Sequence, residues 1–148
     1  MKKVLVLCTS NSCRSQMAEG YLRFFAPVPI EVTSAGLEKD QLHPIAVEVM
    51  NEDNIDISSG YSKAVVDLPP FEFDYLITVC DDMADKIPSS LSAIQSIHIP
   101  HIPDPAKVKG TLEEKLEAFR HTRELIKKSM LQFIGRELMT YETPDFLP

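Results

Sequence analysis

The run Val4-Leu5-Val6-Leu7, apolar at every position and followed at once by Cys8, Thr9, Ser10 and Asn11, limits the possible folds more than any other feature of this chain. A strand with one wet face alternates; an unbroken apolar strand is covered on both faces, as parallel strands in α/β sheets are. The preceding Met1-Lys2-Lys3 gives the segment the look of an export signal, but its apolar run is shorter than the roughly 7 to 15 residues of a signal core. Residues 15–25 carry Met17, Ala18, Tyr21, Leu22 and Phe25 at helical spacing, with Gln16, Glu19 and Arg23 elsewhere on the wheel, and Pro27 and Pro29 end the helix. Ile30-Glu31-Val32-Thr33 alternates as a strand ending at Ser34-Ala35-Gly36, and residues 44–51 form a short amphipathic helix opening on Pro44. Residues 75–79 and 96–99 read as further strands, the second stopped by Pro100, Pro103 and Pro105. Thr111 and Glu114 have the spacing of a capping box, and Leu112, Leu116, Phe119, Ile126, Met130 and Phe133 form one stripe on a long closing helix.

Strand and helix in alternation predict an α/β fold, a doubly wound parallel sheet with helices on both faces. We expect one domain over residues 1–139 and a frayed tail at 140–148. Ligands of such sheets bind outside the carboxyl ends of the strands, where three polar segments gather: the turn at 8–15, the loop from Cys80 and the loop holding Asp104.

A formal charge of -7 argues against nucleic acid or an anionic membrane as partner, because both demand clustered Lys and Arg. No apolar stretch approaches the roughly 18 to 20 residues that span a bilayer. The expectation is a cytoplasmic monomer. Three cysteines, Cys8, Cys13 and Cys80, are an odd number in a chain without an export signal, so reactive thiols are expected rather than a disulfide framework.

The segment Cys8-Thr9-Ser10-Asn11-Ser12-Cys13-Arg14-Ser15 is Cys-x5-Arg-Ser between a buried strand and a helix start. Successive backbone N–H groups over residues 9–14, helped by the helix dipole, can surround a tetrahedral oxyanion, and the planar Arg14 fork grips two oxygens at once. The same field favours a thiolate at Cys8, with the Ser15 hydroxyl a further donor. Spacing alone would equally fit a small buried cysteine; the strand, the helix, Asn11 and Ser15 together favour a nucleophile beneath a bound oxyanion. Other constellations carry less. His98 and His101 stand among prolines and isoleucines without an acidic or cysteine partner at metal-site spacing, so no metal is expected. Asp81, Asp82 and Asp85 read as a solvated acidic face, His43 and His121 as surface residues, and Met17, Met50, Met130 and Met139 as packing.

The stretch from Cys8 through Gln16-Met17-Ala18-Glu19-Gly20 resembles the signature of arsenate reductases related to low-molecular-weight protein tyrosine phosphatases. Ser34-Ala35-Gly36, Pro44, Ile55-Asp56-Ile57-Ser58, Thr78-Val79-Cys80-Asp81, Asp104-Pro105 and the last helix resemble the same family in order, over about residues 2 to 135. The resemblance implies a four-stranded, low-molecular-weight phosphatase-like sheet. Phosphatases of the superfamily usually have proline where Gln16 stands, and aromatic residues where Ala106-Lys107 follows Asp104-Pro105; both departures suit reduction of a small inorganic anion. By itself Asp104 is as well read as a turn aspartate before proline. The resemblance makes it the general acid and Cys80 the second redox cysteine, so that attack of Cys8 on arsenate ends in a Cys8–Cys80 disulfide reopened by an external reductant. The third cysteine of the thioredoxin-coupled pattern is replaced by Ile87, which leaves thioredoxin, glutaredoxin with glutathione, or mycothiol as reductants, with no bound cofactor. Cys13 resembles a thiol that protects an oxidised nucleophile, or is simply packed. Ser10 stands where glycine is common, and Lys63 where many reductases carry an aspartate that helps to hold potassium. Lys63 is expected to supply that charge itself in a loop-supporting cluster with Asn11, Glu19 and Ser34. The anion loop would accept arsenate, phosphate or sulfate. A phosphatase acting on phosphotyrosine or small esters, and a non-catalytic oxyanion-binding or redox-sensing module, remain open alternatives.

Overall fold

The computed structural model describes residues 1–81, 83 and 85–139. Strand β1 (Lys2–Cys8) is central, with Val4, Leu5, Val6 and Leu7 each fully buried, so the unbroken apolar run does mark a strand covered on both faces. It pairs in parallel with β2 (Ile30–Gly36) on one side and β3 (Glu72–Thr78) on the other, and β4 (Ser92–His98) lies outermost, giving the order β2-β1-β3-β4. The doubly wound four-stranded parallel sheet is therefore the one expected. Chain connections leave β1 in one direction and β3 in the other, so the strand order reverses between them, the place where open α/β sheets bind their ligands. The loops that follow β1 and β3 both begin there.

Three helices complete the core: α1 (Arg14–Phe25), α2 (Pro44–Glu52) and α3 (Leu112–Phe133). Helix α1 buries Met17, Ala18, Tyr21 and Leu22, and α3 lays Phe119, Ile126, Met130 and Phe133 into the same core. Polar groups clasp the helices together: Arg123 donates to Val49 O (2.9 Å) and Glu52 (2.7 Å), and Tyr21 donates to Asp53 (2.6 Å). The capping box closes as its spacing predicts, with Glu114 N–H donating to Thr111 Oγ1 (3.2 Å) and Thr111 N–H to Glu114 Oε1 (3.3 Å). Thr111→Ala removes the acceptor and should cost about 1 kcal/mol of stability, read as a lower urea midpoint at unchanged slope.

Several expectations need correction. Strand β2 continues through Ser34, Ala35 and Gly36, because Val6, Leu7 and Cys8 pair with them. Strands β3 and β4 start earlier than their apolar runs, since backbone pairing recruits polar residues such as Glu72 and Ser92. Leu112 does not join the α3 stripe: it lies in the first turn and is 63% exposed. Met139, beyond the helix, is 50% exposed and does not pack as a core residue. His43 is no free surface residue; its Nδ1 caps α2 by accepting Ile45 N–H (3.1 Å), and its ring lies 4.7 Å from that of Phe119. The tail at 140–148, together with Asp82, lies outside the described residues. No helix among the described residues is long and apolar enough to cross a membrane.

Candidate active site

The turn after β1 is fixed by a chain of hydrogen bonds whose direction can be read from its first donor. Lys63 N–H can only donate, and it meets Asn11 Oδ1 at 2.9 Å. The amide nitrogen Nδ2 therefore faces Ser15 Oγ, at 2.7 Å, and the serine hydrogen is left for Cys8 Sγ, 2.9 Å away. Asn11 N–H adds a second donor to the same sulfur at 3.2 Å. Both bonds suit an anionic sulfur, the nucleophilic form of a cysteine. Asn11 takes φ 52°, a left-handed conformation that asparagine tolerates better than most residues. The loop also presses on β2: a Cβ at Gly36 would stand 2.7 Å from Asn11 N and from Ser10 C, so no side chain fits there.

Arg14 opens α1 and is 8% exposed. One guanidinium nitrogen donates to Ile102 O (3.2 Å), and another lies 3.7 Å from Asp104 Oδ2. Asp104 accepts Ala106 N–H on Oδ1 (3.0 Å), which orients the carboxylate at the head of the short turn Pro105–Lys107. The loop after β4 thus brings Asp104 over the loop after β1, a placement that residue spacing could not supply. Cys13 is buried, and its thiol approaches Asp104 Oδ1 at 3.8 Å. Burial, followed by the Asp104 charge, pushes the Cys13 thiol up to about 12, so it stays protonated at neutral pH.

Cys80 follows β3 by two residues and is buried. Its sulfur accepts a hydrogen bond from Thr9 Oγ1 at 3.6 Å, one residue along from the nucleophile. Burial raises the Cys80 thiol above its ordinary range, and the Thr9 bond and Arg14 oppose that rise. The three loops expected to meet at the carboxyl edge of the sheet do meet. Thr9, Ser10, Asn11, Ser12 and Cys13 form the turn between Cys8 and Arg14.

The expected loop-supporting cluster is only partly formed. Lys63 holds Asn11 through its backbone N–H, while its ammonium turns to Tyr61 O (2.9 Å) and sits 4.4 Å from the Tyr61 ring. The Tyr61 carbonyl, two residues away, satisfies the ammonium locally; burial pushes the Lys63 amine down, and the Glu19 charge opposes that fall. Ser34 Oγ has no hydrogen-bond partner among the described residues, and Glu19 pairs instead with Arg23 at 3.5 Å. Lys63→Met should therefore leave turnover within about twofold of wild type, as for substitutions away from key contacts; a large loss in a steady-state assay would restore the ammonium to the cluster.

Two residues hold the loop in ways the sequence did not reveal: Gln16, read there only as a departure from the phosphatases' proline, and Ser62. Gln16 Nε2 donates to Asn11 O (3.2 Å), Asn11 Oδ1 (3.2 Å) and Tyr61 O (2.9 Å). Ser62 Oγ donates to Ser10 O (2.9 Å). The place of Gln16 directly after the loop was a usable signal; nothing local marked Ser62.

The chain is similar to known proteins along most of its length. A model of the low molecular weight phosphotyrosine protein phosphatase family matches residues 3–142. An arsenate reductase of Shouchella clausii is 41% identical over 89% of this chain and 94% of its own. A glutaredoxin arsenate reductase of Synechocystis is 44% identical over 54% of this chain and 61% of its own. Among solved structures, an arsenate reductase in its oxidized state aligns with a TM-score of 0.79 at 32% identity, over 92% of this chain and 98% of that one.

Proposed function

The chain belongs to the low molecular weight phosphotyrosine protein phosphatase family, and we propose that within it this member reduces arsenate to arsenite. The observation that carries the reading is the meeting of Cys8, Arg14 and Asp104 with a second buried thiol, Cys80, held at Thr9. A phosphatase needs only the first three.

In this account arsenate sits in the turn at 8–15, its oxygens held by backbone N–H groups and the Arg14 fork. The Cys8 sulfur, which accepts from Ser15 and Asn11, attacks arsenic as its thiolate. Asp104, facing Arg14 across the loop, takes a proton from solvent and passes it to the departing oxygen, which leaves as water. Cys80 then loses its thiol proton to solvent and attacks Cys8 Sγ. The S–S bond forms, the S–As bond breaks, and its electron pair stays on arsenic, which leaves as arsenite. The two thiols supply the two electrons. Glutaredoxin with glutathione is the first reductant to try, because one relative carries glutaredoxin in its name; thioredoxin and mycothiol follow, since Ile87 removes the third cysteine of the thioredoxin relay.

The same three groups would hydrolyse phosphomonoesters, and the family favours that as a second activity. The turn after Asp104 is Pro105-Ala106-Lys107, which itself supplies no aromatic side chain to a phosphotyrosine ring. The test is arsenite release and NADPH consumption with each of three systems: thioredoxin and its reductase, glutaredoxin with glutathione, and mycothiol with mycoredoxin. Cys8→Ser is the control. Arsenite formed with one system and lost in the control is expected; silence in all three, with p-nitrophenyl phosphate hydrolysed, makes the protein a phosphatase.

A further inference from the structure

At the ends of β3 and β4 a single imidazole is bonded at both nitrogens. His98 Nδ1 lies 2.8 Å from Thr78 Oγ1, and Nε2 lies 3.1 Å from Asp81 Oδ1. Donation of Nε2–H to the Asp81 carboxylate leaves Nδ1 as acceptor for the Thr78 hydroxyl, so the aspartate selects the tautomer. The two partners bracket Cys80, one two residues before it and the other immediately after. Among the described residues, backbone pairing here extends to Val79 N–H donating to Leu7 O (3.0 Å) and Ile99 N–H donating to Thr78 O (2.9 Å). The Thr78–His98–Asp81 bridge carries the constraint past Cys80 and closes a ring of bonds around it.

That ring has little to contribute to stability, because His98 and Asp81 are about half exposed, with side-chain exposures of 47% and 58%. What it holds is Cys80, whose sulfur is kept against Thr9, beside the nucleophile. We propose that His98 is a positioning residue for Cys80: by tying Asp81 back to Thr78 it keeps the second thiol within reach of the Cys8 adduct and sets the rate of disulfide formation, without contact with the oxyanion. The proposal rests on the reduction scheme above and concerns only its second step, in which the Cys80 sulfur bonds to Cys8 Sγ and the S–As electron pair leaves with arsenite. With the bridge cut, Cys80 spends time away from Thr9, and its effective concentration at Cys8 falls.

The experiment follows Cys8–Cys80 disulfide formation by acid quench and peptide mass analysis after one addition of arsenate to wild type, His98→Ala, His98→Gln and Asp81→Asn. Hydrolysis of p-nitrophenyl phosphate and alkylation of Cys80 by iodoacetamide are measured on the same proteins. His98→Ala and His98→Gln should form the disulfide about tenfold more slowly, with ester hydrolysis unchanged and Cys80 alkylated faster. Asp81→Asn keeps an acceptor for Nε2–H and should fall between these variants and wild type. Disulfide formation at the wild-type rate in both His98 variants would overturn the role of His98 alone, as would an equal fall in both activities, which marks a merely structural residue. A wild type that forms no disulfide with arsenate would overturn the reduction scheme, and this role with it.

Discussion

Arg14→Lys should lower kcat/KM by about 100- to 1,000-fold for arsenate and p-nitrophenyl phosphate alike, the loss typical of removing an oriented oxyanion donor. Charge is preserved in this substitution; the planar fork is not. Arg14 is held by Ile102 O and faces Asp104, so its guanidinium is oriented before any anion arrives. A lysine ammonium carries its three N–H donors on one nitrogen and cannot reproduce the planar fork that holds the Ile102 carbonyl with one nitrogen and faces the anion with the others. Parallel losses with the two substrates would place the effect on the step they share, attack by Cys8. A loss with arsenate alone would mean that the two reactions use Arg14 differently.

Cys80→Ser separates the activities instead. Sustained arsenite release should fall by roughly 100-fold or more, because a hydroxyl cannot complete thiol–disulfide exchange, while p-nitrophenyl phosphate hydrolysis should stay within about twofold of wild type. Serine can still accept the Thr9 hydroxyl proton, so the local packing around residue 80 is kept. Full reductase activity in this variant, with glutathione as thiol, would transfer the resolving step from Cys80 to the external reductant.

The parts of this molecule that were legible in its sequence are those encoded locally. The Cys8-to-Ser15 turn is contiguous, so its spacing, the strand before it and the helix after it were all visible, and the structure joins Cys8, Asn11 and Ser15 directly. The buried run at residues 4–7 announced a parallel sheet for the same reason. Asp104 is different: an aspartate before proline says little until the fold carries it to Arg14, 90 positions away in the chain. Lys63 shows a second limit. Its place beside the loop was implied by the family resemblance, but a sequence cannot say whether the backbone amide or the ammonium does the holding, and here it is the amide. Ser62 and His43 were misjudged or missed because their roles consist of one bond each to distant or neighbouring backbone, a demand that any of several polar residues could meet.

The most direct test of the central claim is mass mapping of the reduced protein after a single turnover with arsenate and no added reductant. One arsenite released per chain and a Cys8–Cys80 disulfide are expected, with Cys13 still a free thiol. Arsenite released without that disulfide, or a disulfide joining Cys8 to Cys13 instead, would contradict that claim.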